Sequence, residues 1–224
     1  MNINMIRILM LKDLRLLQVP VLFYSAVGLI AISMIDGNQQ AWFYAGSVLL
    51  ITALMALGFH PTMASVVGER KDQTLAFVMS MPITLTDYTW SKLLVNLLLF
   101  FIPWTLLLAA TIALILARPS LPDGLIPYAC ILFGAIAAGA VLILSIGIVS
   151  ESMYWTIATQ IACNLGFQAI MYAASNADAI KATMTGNTVD WNLTVLTFLA
   201  TQTGIALVAI AATLWLQSRK TDFI

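Results

Sequence analysis

Residues 93–117 read LLVNLLLFFIPWTLLLAATIALILA, a stretch without a charged side chain. An α-helix rises about 1.5 Å per residue, so roughly 20 such residues cross the ~30 Å hydrocarbon core of a bilayer. Backbone N–H and C=O groups find no water there, which leaves the helix and the closed barrel as spanning structures. Barrel strands alternate apolar and polar residues. This run does not, so it reads as a membrane helix.

Working outward, five further segments pass the same test: 19–35, 41–67, 125–149, 153–174 and 192–216. The segments 41–67 and 93–117 are longer than a crossing requires and are expected to tilt or project. The expected fold is an all-α membrane protein with six transmembrane helices. Composition agrees: 61% of the 224 residues are hydrophobic and 9% are charged, against about 25% charged in soluble domains. A net charge of zero gives no footprint for nucleic acid. Cys130 and Cys163 lie in apolar runs and read as small buried hydrophobes rather than a disulfide or metal pair. A secretory signal would precede a soluble chain, whereas here apolar segments continue to the end, so 19–35 reads as a first span.

Lysine and arginine placement sets the expected orientation. Arg7, Lys12, Arg15, Arg70, Lys71, Lys92, Arg219 and Lys220 fall on one side, and only Arg118 and Lys181 on the other. Both termini are therefore expected in the cytoplasm. The outer connections are 36–40, 118–124 and 175–191. The last has room for a short interfacial or re-entrant helix, with Gly186 and Asn187 favouring a turn inside it.

Residues 1–18 form a separate expected unit ahead of the membrane domain, 19–224. At 100° per residue, Asn4, Arg7, Lys12, Arg15 and Gln18 share one arc, with Ile3, Ile6, Leu9, Met10, Leu14 and Leu17 largely opposite. That is the pattern of an N-terminal amphipathic interfacial helix facing headgroups or a partner. A plain topological anchor fits as well. Ile8 and Leu11 intrude on the basic arc, and Asp13 falls on the apolar one, where a basic side chain at the base of the spans is its expected partner.

The sizeable cytoplasmic loop is 68–92. It opens on Glu69, Arg70, Lys71 and Asp72, and Leu75, Val78 and Met79 then recur at helical spacing until Pro82. A short helix with one apolar face and a charged start suits docking to a partner. A solvated loop whose charges only obey topology is the other reading.

The stretch GERKDQTLAFVMSMPIT, 68–84, resembles the signature of ABC-2-type transporter permeases, with Glu69, Arg70, Thr74, Leu75, Ser80 and Pro82 at matching positions. Gln73 stands where that family often has glycine. The lead-in LMLKDLRLLQ, 9–18, is similar to the family's connecting helix, and SRKTDFI, 218–224, to its basic cytoplasmic ending. The resemblance implies the membrane subunit of an ATP-binding cassette exporter in the bacterial cytoplasmic (inner) membrane. It implies a separate ATPase subunit holding ATP and magnesium, and a permease homodimer or a paired homologous permease. The implied ATPase interface comprises a coupling helix with Glu69, Arg70, Lys71, Thr74, Leu75, Val78 and Pro82, joined by Arg7, Lys12 and Arg15. No G-x-x-x-x-G-K-[ST] loop occurs in the chain, so it is not expected to be an enzyme or to carry a cofactor itself.

Polar residues at bilayer depth mark a candidate translocation path. Thr156, Gln160, Asn164 and Gln168 recur every fourth residue along a slowly drifting face. They line a path or bond helices together. His60 reads as a proton- or substrate-sensing group or as a packing hydrogen bond. Sparse amides in an apolar setting suit a hydrophobic or amphipathic cargo such as a peptide, drug or lipid. The competing readings are a non-transporting scaffold or an immunity or sensor subunit that binds a partner. An intramembrane enzyme would need a catalytic constellation, which one histidine without an intramembrane acidic pair does not supply.

Overall fold

The computed structural model describes residues 3–37, 39–71 and 84–219. Among them are seven α-helices and no strand: α1 (Ile3–Ile35), α2 (Gln40–Thr62), α3 (Leu85–Ala117), α4 (Leu125–Ser150), α5 (Met153–Asn176), α6 (Asp178–Met184) and α7 (Leu193–Ser218). Five of them, α1, α2, α3, α4 and α7, are long and apolar enough to cross a membrane, α2 together with its extension to Val67. The chain is a helical, multi-pass membrane protein. Helix α5 falls outside that set because its amides and hydroxyls dilute its apolar residues. The segment expected to hold a short outer helix does so as α6, and turns at Gly186.

Two expected elements merge at the N-terminus. The lead-in and the first span form one helix, α1, with Pro20 inside it. Its 33 residues extend about 50 Å, well beyond the ~30 Å core. Packing overrides the break that the polarity change at Gln18 implied. Ile6, Leu9, Asp13 and Leu17 form one buried stripe against the neighbouring helices, and the same stripe continues through Val21 into the bundle. Ile8, Leu11 and Leu16 face outward.

Helix α2 does not stop at Pro61. It passes into a π-helical segment, Met63–Val67, where the Gly68 N–H reaches the Met63 carbonyl, and then one further turn, Gly68–Lys71. The extra residue per turn rotates everything after it, so the π-segment sets where Glu69 points. Helix α3 begins at Leu85, eight residues earlier than the apolar run. Thr84 and Asp87 cap its start reciprocally, the Asp87 N–H donating to Thr84 Oγ1 at 3.2 Å. That cap satisfies orphan amides and lets polar residues enter the first turns.

Helix α4 is the centre of the bundle, packed by α2, α3, α5 and α7. Its small residues admit these neighbours closely. A Cβ on Gly134 would strike the Gln202 side chain of α7, and Cys163 of α5 lies against Gly139. Register follows from such pairs. Thr156 adjoins Gly147, Cys163 adjoins Gly139, and Ala174 clusters with Ile131, so α5 runs antiparallel along the whole of α4. Two glutamines fix α7 the other way: Gln202 Nε2 donates to the Ile131 carbonyl at 3.1 Å and Gln217 Nε2 to that of Ile148 at 2.7 Å. Helices α4 and α7 are therefore parallel, and α5 with α6 carries the chain back between them. At the turn into α5, Glu151 adopts a left-handed conformation (φ 49°) that ends α4. At the opposite end, the Gly124 N–H donates to the Gly186 carbonyl at 3.0 Å. An added Cβ at Gly124 would overlap the Thr183 carbonyl, so the two loops meet backbone to backbone.

Candidate functional site

The chain concentrates its buried charge at one end of the bundle, where α1, the end of α2 and the start of α3 converge. Helix α1 contributes Lys12 and Asp13, the extended α2 contributes Ser65 and Glu69, and α3 contributes Tyr88, Lys92 and Asn96. Spacings of four align the α2 pair and the α3 trio along their helices, and the α1 pair is consecutive. Lys92 Nζ lies 2.7 Å from Asp13 Oδ2 and 2.8 Å from Glu69 Oε1. Lys12 pairs with Glu69 and lies 3.4 Å from Asp13. The Tyr88 hydroxyl donates to Glu69 Oε2 at 3.0 Å, while its ring lies 5.4 Å from the Lys92 ammonium. One layer deeper, Asn96 Nδ2 donates to Ser65 Oγ at 2.9 Å and to the Lys92 carbonyl at 2.8 Å.

Two lysines and two carboxylates balance within the cluster. Asp13 and Lys92 are fully buried and Glu69 is 7% exposed. Ions removed from water this thoroughly persist only when paired and hydrogen-bonded. Burial opposes the charge on Glu69, yet the Lys92 charge and hydrogen bonds from Lys12 and Lys92 prevail and hold its carboxyl below the usual carboxylate range. The group stays ionised at neutral pH. Chemically the cluster is a joint. It offers no metal-binding set among the described residues, and each charge is committed to a neighbouring helix.

Asp13 meets the basic partner expected of it, and that partner is Lys92. The depth of Glu69 and Lys92 is not visible in a count of positive residues, which treats Lys92 only as a marker of sidedness. The missed signal is the repeat Tyr88, Lys92, Asn96, a polar stripe entering an apolar helix at spacing four. Of the other expected interface residues, Arg7 and Arg15 are exposed on α1, and Lys12 is turned into the joint. Arg70 and Lys71 continue the backbone of the last turn after α2. Thr74, Leu75, Val78 and Pro82, with the expected coupling helix, lie outside the described residues, as does Lys220.

The candidate path residues divide. Thr156 is fully buried and donates to the Ser152 carbonyl at 2.8 Å. Gln160 and Asn164 bond each other at 3.0 Å and line a cavity of about 20 Å³ between α2, α4 and α5. Gln160 Oε1 is buried there without a hydrogen bond. Gln168 is exposed. Each step of four residues advances the face by about 40°, so Gln168 lies about 120° round the helix from Thr156. His60 does not line that cavity; its Nδ1 lies 3.2 Å from the Tyr24 hydroxyl of α1, with the rings edge to face. Cys130 and Cys163 are free thiols.

These features define a class, a helical multi-pass membrane protein with a buried ionic joint at one end of its bundle. Compared with protein-family models, curated proteins and solved structures, the chain matches none.

Proposed function

We propose that this chain is the membrane-spanning subunit of an ATP-binding cassette exporter of the ABC-2 type, acting in a bacterial cytoplasmic membrane. One observation carries the reading. Glu69 and Lys92, at the two roots of the segment that bears the permease-like signature, are bonded to each other, and Lys92 also to Asp13. Through these bonds a displacement at either root reaches α1, α2 and α3 together. Such a lever is what a protein without a nucleotide-binding loop needs if a separate ATPase is to drive it.

The same plan has six crossings, with α5 as the one beyond the five long apolar helices. Helix α5 lies antiparallel along α4 from Thr156 to Ala174, which supports its reading as a return crossing despite its polar stripe. An even number of crossings puts both termini on the basic, cytoplasmic side. The ATPase subunit, carrying ATP and magnesium, docks on the coupling segment through Thr74, Leu75 and Val78, with Arg7 and Arg15 at the rim. A second permease, identical or homologous, completes the transporter. The half-buried Gln160–Asn164 pair faces the path of a hydrophobic or amphipathic cargo. Because Glu69 is buried, its substitution tests the joint, and docking is tested at the apolar positions of the segment.

Inside-out vesicles holding the chain and its partner ATPase are expected to accumulate a labelled amphipathic peptide with ATP, and vanadate is expected to stop it. Unchanged accumulation without nucleotide, or none with an active ATPase bound, would overturn the exporter reading in favour of a non-transporting scaffold or immunity or sensor subunit.

A further inference from the structure

At the end of the bundle opposite the ionic joint lies a cavity of about 330 Å³. One wall is the face of α2 from Phe43 to Leu54, the other the face of α4 from Leu125 to Ile136, with the end of α3 behind them. Helices α2 and α4 both descend from this end, so the two walls are read to the same depth. Eleven residues of helix span about 16 Å. The cavity follows that length as an elongated slot lined almost wholly by apolar side chains.

The slot is built to stay dry. Ser47 and Thr111 line it, but each hydroxyl donates to its own helix, Ser47 to the Phe43 carbonyl and Thr111 to that of Leu107, both at 2.8 Å. A buried water needs about two to four polar partners, and the Tyr128 phenol alone does not supply them. Apolar cavities of ~150 Å³ remain free of water and take benzene; this one is about twice as large. The slot is partly open to its surroundings, so an apolar group entering from outside gains dispersion contacts with its lining.

The surroundings say what fills it. The slot's shallow end, lined by Ile35, Phe43 and Leu125, adjoins along the chain the Asp36–Arg118 ion pair and Trp42 and Tyr44, which are exposed as aromatic residues are at headgroup depth. From that level the slot descends about 16 Å, and one leaflet's hydrocarbon is about 15 Å deep, half of the ~30 Å core. We propose that this slot is a lipid site, which takes one acyl chain of a phospholipid from the outer leaflet and keeps the headgroup beside Asp36 and Arg118. The slot borders the Gln160–Asn164 cavity, with which it shares Leu54 and Ile136, and the proposal does not depend on the exporter reading.

The test uses the full chain in bilayers of phosphatidylcholine with a diazirine at the end of one acyl chain. After irradiation, adducts are expected on the deep wall, at Ile51 and Phe133, which line the slot and not the Gln160–Asn164 cavity, as well as on lipid-facing Ile161 and Leu165. Filling the slot with Ala129→Phe, or more gently with Ser47→Leu, should remove the deep adducts and leave those on Ile161 and Leu165 as before. A free fatty acid bearing the same group, added to unlabelled bilayers, is the second arm. Deep adducts that persist in a variant with the wild-type melting temperature would overturn the proposal. So would deep labelling by the free acid alone, or a wild-type chain labelled only on its outer surface.

Discussion

Lys92 shows how much one side chain can hold at the base of this bundle. Removing its ammonium by Lys92→Met leaves Asp13 buried with only the 3.4 Å approach of Lys12, and breaking a buried pair this way costs about 3–5 kcal/mol. Thermal unfolding in mild detergent should register that loss. The double variant Asp13→Leu with Lys92→Met removes both charges and leaves Glu69 paired with Lys12, so it should be more stable than the sum of the singles implies. Strict additivity would mean that the pair is not coupled. Acid should act through Glu69. Its carboxyl is held below its ordinary value of 4.5, so in the acid range the unfolded chain binds more protons than the folded one. The stability it contributes is complete above that ordinary value and disappears as pH falls through the folded one. Glu69→Gln should lower the melting temperature at neutral pH and flatten its decline on acidification. An unaltered acid profile would show that another carboxylate governs it. Asp13 was legible in the sequence as a misfit on an apolar arc. The burial of Lys92 was not, because a lysine near a helix start normally reaches water and only the converging helices prevent it.

Between helices, the sequence placed apolar runs inside all five long apolar helices, but α1 and α3 begin well before the runs at 19–35 and 93–117. It separated the lead-in from the first span because Gln18 and Pro20 look like a boundary; the stripe Ile6, Leu9, Asp13, Leu17 holds them as one helix. The segment 153–174 was expected as a sixth crossing and forms helix α5, whose polar residues keep it below the hydropathy of the others. Single cysteines at Ser152 and Asn176, in a chain with Cys130 and Cys163 replaced, decide its course. Opposite sidedness of labelling by an impermeant maleimide is expected, and labelling of both from one side would remove the crossing. Helix α7 depends on Gln202 and Gln217, which the sequence presents only as polar residues near a span. Each substitution to leucine should cost about 1 kcal/mol, and two sites this far apart along α7 should add. At the other end Gly124→Ala forces the 124 and 183 backbones apart and should cost about 1–3 kcal/mol, as overpacking does. A melting temperature equal to wild type would refute that close approach.

Over the whole molecule, charge and grease are segregated. An ionic joint ties three helices at one end, a central small-residue helix gathers the bundle, and an apolar slot lies at the other end. The composition announced a membrane protein because no water-facing surface can be made from it. The joint stayed hidden because its members are scattered from Lys12 to Asn96, and only the fold brings them within hydrogen-bond reach. The central claim is that force enters through the segment rooted at Glu69 and Lys92. A photoreactive amino acid placed at Leu75 or Val78 in living cells tests it most directly. The expected result is a covalent adduct with a protein that carries a G-x-x-x-x-G-K-[ST] loop, lost when the joint is broken by Lys92→Met. A folded, inserted chain whose adducts are confined to lipid, or to a protein without that loop, would contradict it.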